Sequence, residues 1–286
     1  MKVDNAIIMA AGTSSRFAPL SYEVPKALIN VKGEVLVERQ IEQLKDAGID
    51  DIIVVTGYKA EQFTYLGSRY GVRLVHNPDF LTRNNNSSIY VVKDFLKNSY
   101  ICSADNYFTS NPFEDTVDES YYSAIYVDGK TDEWCISEEK GYITCVTVGG
   151  ENSWIMMGHT FWSEEFSRTF CKILDAEYDR PETADKLWET IYLEHVDELP
   201  MRVKKYPNEF IFEFDTLDEL RQFDSSYILD TRSSILKQVA LRLQIEERDI
   251  RNISVFKDGN NAAAGFEFVA GSRYRYYYET MDLEMI

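Results

Sequence analysis

The stretch Ile7-Ile8-Met9-Ala10-Ala11-Gly12-Thr13-Ser14-Ser15-Arg16 runs an apolar strand into a turn of small residues and then a cation. Further on, Pro25-Lys26-Ala27-Leu28 places a second cation behind a proline. Small residues let backbone N–H groups approach a polyphosphate closely, and two cations offset its charge. A dinucleotide fingerprint needs G-x-G-x-x-G, whereas Gly12 is followed here by Ser14 and Ser15. The Walker ending G-K-[ST] is absent as well. The segment reads as a phosphate-handling loop of another kind, at the end of a buried parallel strand over residues 6–9.

Working outward, apolar residues at helical spacing (Leu36, Val37, Ile41, Leu44) predict a helix over 35–47, closed by Gly48. Strands follow at 51–56, 72–76 and 100–103, separated by helices at 61–70 and 87–96. This β-α alternation predicts a mostly parallel sheet with helices on both faces. Beyond Asp105 the pattern becomes mixed. Strands are expected near 123–127, 142–148 and 155–162, helices near 164–176 and 184–193, and a strand pair around 203 and 210–213. A helix at 217–223 completes that part. Past about Asp230 a different unit begins, with a helix at 233–243 and strands near 253–256, 266–269 and 274–278. The expected fold class is α/β with a small α+β extension, divided into domains 1–229 and 230–286.

Composition narrows the function classes. The 286 residues carry a net charge of −18, which argues against nucleic acid, because phosphate backbones demand basic faces. No run of about 18 apolar residues is present, so no membrane span is expected. The opening residues enter a strand without a signal peptide's cleavage region, and the expected compartment is the cytoplasm. Four cysteines lack a C-x-x-C pair and read as small buried hydrophobes; three histidines match no metal spacing.

Three further constellations bear chemistry. Asp105 follows the strand 100–103, and a carboxylate at the C-terminal end of a parallel strand points to the crevice where such sheets bind ligands. It is a natural oxygen ligand for Mg2+. In Phe212-Glu213-Phe214-Asp215-Thr216, strand alternation would project Glu213 and Asp215 together and complete a metal site with Asp105; a solvated strand face is the other reading. Trp134, Tyr178 and Trp188 are aromatic faces of the sort that attract quaternary ammonium groups. Equally, Tyr178 and Trp188 would pack their helices.

The succession A-A-G-x-S-S-R, P-K-A-L, the helix with Glu38, Gln40 and Ile41, Val55-Thr56-Gly57-Tyr58, Asn84-Asn85 with Ser88, Ala104-Asp105-Asn106-Tyr107 and Thr131-Asp132-Glu133-Trp134 resembles bacterial CTP:phosphocholine cytidylyltransferases. The likeness covers roughly residues 1–229 and implies a Rossmann-like nucleotidyltransferase fold. It implies that Ala10, Ala11, Gly12, Thr13, Ser14 and Ser15 line the nucleotide, with Asn85 and Ser88 near the base. Arg16 would grip the leaving phosphates, and Lys26 would bridge the α-phosphate and the incoming phosphate. Asp105, Glu213 and Asp215 would hold Mg2+, and Glu133, Trp134, Tyr178 and Trp188 would surround the acceptor's onium head. The implied catalytic residues are Lys26, Arg16 and Asp105.

Two departures stand out: Leu187 replaces a frequent tyrosine, and Gly-Thr-Ser replaces a frequent Gly-x-Gly in the loop. The tail, with Asp249-Ile250-Arg251-Asn252-Ile253, Lys257-Asp258-Gly259-Asn260-Asn261 and Ser272-Arg273-Tyr274, resembles the opening of a choline-kinase-type lobe without its catalytic aspartates.

The expected reaction is CMP transfer from CTP to phosphocholine, with Mg2+. Expected partners are these small molecules, with no nucleic acid, no membrane, and a homodimer as the open assembly. Other acceptors (a sugar 1-phosphate, phosphoethanolamine, 2-aminoethylphosphonate) belong to the same chemical class. A non-catalytic nucleotide-binding regulator, or an assembly module built on residues 230–286, are the readings from other classes.

Overall fold

Ala6, Ile7 and Ile8 are fully buried at the middle of the opening strand, as expected where both faces of a sheet are covered. The computed structural model describes residues 1–258 and 263–286. Its packing groups the chain into two units, Met1–Gly12 with Leu36–Glu213, and Thr13–Val35 with Phe214–Ile286. The expected division at 229/230 follows where the resemblance ends; the units follow which segments pack together.

In the first unit the chain runs β1 (Asn5–Ala10), α1 (Leu36–Asp46), β2 (Ile52–Thr56), α2 (Thr64–Tyr70), β3 (Arg73–His76), α3 (Asn86–Tyr90) and β4 (Ser99–Ser103). It continues with β5 (Tyr107–Phe108), β6 (Tyr121–Glu139), β7 (Tyr142–Trp162), α4 (Glu164–Glu177), α5 (Trp188–Glu194), β8 (Arg202–Lys205) and β9 (Ile211–Phe212). Seven strands form one sheet in the order β8-β6-β7-β4-β1-β2-β3. Strands β4, β1, β2 and β3 are parallel, whereas β7 pairs antiparallel with both β4 and β6. This is the Rossmann-like mixed sheet the alternation predicted. Phe166, Phe170 and Leu174 recur at i, i+4 and i+8 along α4 and join Trp162, Trp188 and Ile191 in the core.

Two elements differ from expectation. The helix expected over 87–96 is a short α3 followed by a separate turn, Lys93–Phe95. Consecutive valines at 91 and 92 weaken helix continuation, and the Phe95 carbonyl is taken by the Asn5 side-chain amide at 2.7 Å. The three short strands expected after Ser123 are two long ones, 19 and 21 residues, forming a hairpin over Lys140 and Gly141. Register shifts near Ala124, Lys130 and Trp134 break the two-residue alternation, and Gly129, Gly149, Asn152 and Gly158 take positive φ inside the strands. In sequence those positions imitate turns.

The second unit contains α6 (Leu217–Phe223), α7 (Ser234–Leu243) and an antiparallel sheet in the order β10 (Arg251–Lys257), β11 (Ala263–Ala270), β12 (Ser272–Tyr277), β13 (Leu283–Met285). The last strand was not anticipated. Thr216 and Glu219 form a reciprocal capping box on α6, satisfying two backbone donors. Of the kinase-like stretch, residues 259–261 lie outside the described residues. Segment Thr13–Val35 adds a turn at Ser15–Phe17, a short helix at Leu20–Glu23, a turn at Lys26–Leu28 and a ribbon pairing Asn30–Val31 with Glu34–Val35. Among the described residues no helix is long and apolar enough to cross a membrane.

Candidate active site

At the C-terminal end of β1, Ala10 and Ala11 are buried and Gly12 is exposed. The Ala11 carbonyl accepts from Tyr58 N–H at 3.0 Å, bringing in the Val55–Tyr58 segment. Gly57 permits that approach: a Cβ there would lie 2.8 Å from the Ala11 oxygen and 2.7 Å from the Phe80 ring. A Cβ on Gly12 meets no atom within 4 Å, so internal packing does not demand glycine at that position.

The turn carrying Asp105 is held from below. Gln40 on α1 donates to the carbonyls of Ser103 (2.8 Å) and Asn106 (2.9 Å) and so brackets the half-buried aspartate. Buried Asn106 in turn donates to the Glu213 carboxylate at 3.3 Å.

A recess of about 200 Å³ opens beside this turn. Tyr122, Trp134, Met156 and Leu187 form its apolar lining, while Asn106, Glu189 and Glu213 supply polar groups. Glu189 accepts from the Asn85 amide (3.1 Å) and the Tyr122 hydroxyl (3.4 Å). Burial pushes its carboxyl up to about 7, against the lowering effect of those hydrogen bonds. Gly158 also lines the recess at φ +101°; a Cβ there would meet the Ser123 hydroxyl at 2.6 Å.

In the second unit, the Arg16 guanidinium lies 2.8 Å from Asp215, and the Lys26 ammonium lies 3.7 Å from the same carboxylate. Lys26 is 5% exposed and Arg16 is largely exposed, so one cation is sheltered and the other presented. Thr13, Ser14 and Ser15 are half-buried just before Arg16, and Ser14 takes left-handed geometry (φ 47°, ψ 44°).

Several expected residues sit elsewhere. Trp188 is 1% exposed and packs against Trp162 and Phe170 in the core; it stacks on Tyr122, which does line the recess. Tyr178 has both faces covered, one by Tyr90 (3.6 Å) and one by the Arg83 guanidinium (3.8 Å), and its hydroxyl donates to Asp79. Neither ring is open to an ammonium group. Glu133 is exposed beside half-buried Trp134, at a register shift of the strand. Asn85 accepts from Trp188 N–H at 2.7 Å and thereby ties α3 to α5, while buried Ser88 accepts from Asn77.

The expected pairing of Glu213 with Asp215 on one strand face does not form. β9 ends at Phe212, so strand alternation does not reach Glu213 and Asp215. Asp215 faces the two cations instead. Among the described residues, no group of three His, Cys, Asp or Glu side chains is placed to hold a metal ion.

Sequence reading missed Tyr122, Met156 and Gly158 at the recess. All three lie on the long hairpin, whose bulges hid its register.

Residues 6–111 match the family model of the MobA-like NTP transferase domain. The chain is 36% identical over 220 residues to the choline-phosphate cytidylyltransferase of Streptococcus pneumoniae, covering 77% of this chain and 96% of that one. It is 34% identical over 234 residues to the 2-aminoethylphosphonate cytidylyltransferase of Lancefieldella rimae, covering 80% and 95%. Among solved structures, the CTP:phosphocholine cytidylyltransferase of Streptococcus pneumoniae superposes with a TM-score of 0.75 at 35% identity, covering 79% of this chain and 99% of that one.

Proposed function

The chain belongs to the choline-phosphate cytidylyltransferase family of nucleotidyltransferases, and from that premise we propose that it transfers CMP from CTP to phosphocholine, releasing pyrophosphate. The observation that carries the acceptor is the recess beside Asp105. A trimethylammonium group donates no hydrogen bonds, so it favours ring faces, thioethers and carboxylates acting through charge. Trp134, Tyr122, Met156, Glu189 and Glu213 supply that mixture.

In the reaction an acceptor phosphate oxygen attacks the α-phosphorus of CTP. One P–O bond forms as the bond from that phosphorus to the bridging oxygen breaks, and pyrophosphate departs with the oxygen. The acceptor phosphate is already anionic near neutral pH, because its second pKa is about 6, so no side-chain base has to activate it. Catalysis then rests on alignment and charge neutralisation. In this reading sheltered Lys26 meets the phosphates at the reacting centre and exposed Arg16 holds the leaving pyrophosphate. Asp215 serves as their counter-ion until phosphate oxygens compete for them. Magnesium commonly takes one or two carboxylates plus substrate phosphates, which Asp105 and Glu213 can supply without a third carboxylate. When bound, the ion would offset phosphate charge. A cytoplasmic setting is part of the same reading.

The Glu189 carboxylate favours a second acceptor reading, 2-aminoethylphosphonate, whose primary ammonium can donate directly to it. Pyrophosphate release should be measured with each of four NTPs crossed with phosphocholine, phosphoethanolamine, 2-aminoethylphosphonate and glucose 1-phosphate. The expected outcome is the highest kcat/KM with CTP and phosphocholine. Preference for the phosphonate would move the assignment to the second reading, and turnover with the sugar phosphate alone would refute both.

A further inference from the structure

The segment that carries Arg16 and Lys26 is fastened along its length to the C-terminal part of the chain. Tyr22 stacks on Tyr278, ring centres 3.7 Å apart and planes within 5°. The Glu23 carboxylate accepts from the backbone N–H groups of Ser234 (3.2 Å) and Ile235 (3.0 Å) and from the Ser234 hydroxyl, so it sits on the first turn of α7. The Asn30 carbonyl accepts from Arg232 (2.8 Å) and from the Tyr227 hydroxyl (2.5 Å), and Asp224 accepts from Lys32 N–H at 2.7 Å. Strand β10 comes within 8 Å, Cα to Cα, of the Ser15–Phe17 turn itself.

These contacts bracket the two cations without using them. Tyr22 and Glu23 lie between Arg16 and Lys26 in sequence, on the short helix joining their turns. A phosphate-binding segment held in place before the ligand arrives loses less entropy on binding than one that must be ordered. The match to the pneumococcal relative uses 96% of that chain but only 77% of this one, so part of this chain has no counterpart there.

We propose that residues 230–286 act as a clamp on the phosphate-binding segment, with Tyr22 and Glu23 as positioning residues for Arg16 and Lys26. The proposal rests on the reading that these two cations grip the nucleotide's phosphates. It differs from both a remnant kinase lobe and a free docking module, since the extension would serve the transferase reaction itself.

The test uses the full chain and three variants, Tyr278→Ala, Glu23→Ala and Tyr22→Phe. Pyrophosphate affinity is read by titration calorimetry, KM for CTP and for the acceptor by steady-state kinetics, and Tm by thermal unfolding. Tyr278→Ala and Glu23→Ala should weaken pyrophosphate binding and raise the KM for CTP by about tenfold, the scale expected when charged groups lose their alignment. Acceptor KM should hold in both; Tm should hold within a few degrees in Glu23→Ala but fall in Tyr278→Ala, which removes a buried ring packed on Phe266 and Tyr276. Tyr22→Phe, which keeps the stacked ring, should bind like the unsubstituted chain. Unchanged pyrophosphate affinity in both alanine variants overturns the clamp alone. So does a loss in which both KM values and Tm move together, because that marks a merely structural contact. If the unsubstituted chain binds no pyrophosphate, the phosphate reading of Arg16 and Lys26 falls, and the clamp with it.

Discussion

Ser14 holds φ 47° in the loop before Arg16, a geometry that costs an L-residue about 1–2 kcal/mol and glycine almost nothing. The sequence showed the departure from Gly-x-Gly; the backbone shows that the serine keeps the geometry glycine would favour. Ser14→Gly should leave Tm unchanged or raise it by about 2 °C, since relief of strain is partly offset by the greater freedom of the unfolded chain. A drop of several degrees in thermal unfolding would contradict this. Glu189 permits a sharper prediction. Its carboxyl is held up at about 7 by burial, so the proton is bound more tightly in the folded chain than in the unfolded one. Its contribution to stability therefore declines as pH rises from about 4.5 through 7. Ionisation over the same window should strengthen binding of a cationic acceptor, lowering its KM between pH 6 and 8. Because the acceptor phosphate also titrates near pH 6, the diagnostic quantity is the difference between the chain and Glu189→Gln. Parallel KM profiles would remove Glu189 from acceptor binding. Asp215 separates counter-ion from metal ligand. Asp215→Asn should change the KM for CTP while leaving the concentration of Mg2+ needed for half-maximal rate unmoved, and a marked rise in that concentration would restore the metal role.

At the scale of elements, the strands of the parallel half of the sheet were legible because each is a short apolar run, and its first helix because it has a clear stripe and stop in Leu36, Ile41, Leu44 and Gly48. The hairpin was not. Its positive-φ residues at 129, 149, 152 and 158 read as turns, so the strand bearing Trp134 and its partner bearing Met156 were cut into pieces. The site suffered accordingly. Trp134 was found through its motif, but Tyr122 was missed, and Trp188 and Tyr178 were taken for walls although both pack internally. Burial of an aromatic ring cannot be read from its type, since core and cage use the same residues. The consequence is testable. Trp134→Ala should raise the acceptor KM with little change in Tm, whereas Tyr178→Ala should lower Tm by several degrees, having lost two stacking partners and a hydrogen bond, with little change in acceptor KM. The reverse pattern would put Tyr178 back in the recess.

At the scale of the whole molecule, a chain of net charge −18 handles an anionic nucleotide, so its affinity must come from a few local cations rather than a basic surface. Arg16 and Lys26, carried on one loop and neutralised by one aspartate, are suited to that work. The opening motif pointed to both cations before any coordinates, whereas the fastening of that loop by residues far along the chain was not legible, because no local pattern records a contact between Tyr22 and Tyr278. The proposed reaction needs both a grip on CTP and a recess for the acceptor. The most direct measurement is therefore 31P NMR of the full chain with CTP and equal amounts of phosphocholine and 2-aminoethylphosphonate. The account predicts that CDP-choline and pyrophosphate accumulate one for one while the phosphonate signal persists. Unchanged CTP, or a cytidylylated phosphonate in place of CDP-choline, would contradict it.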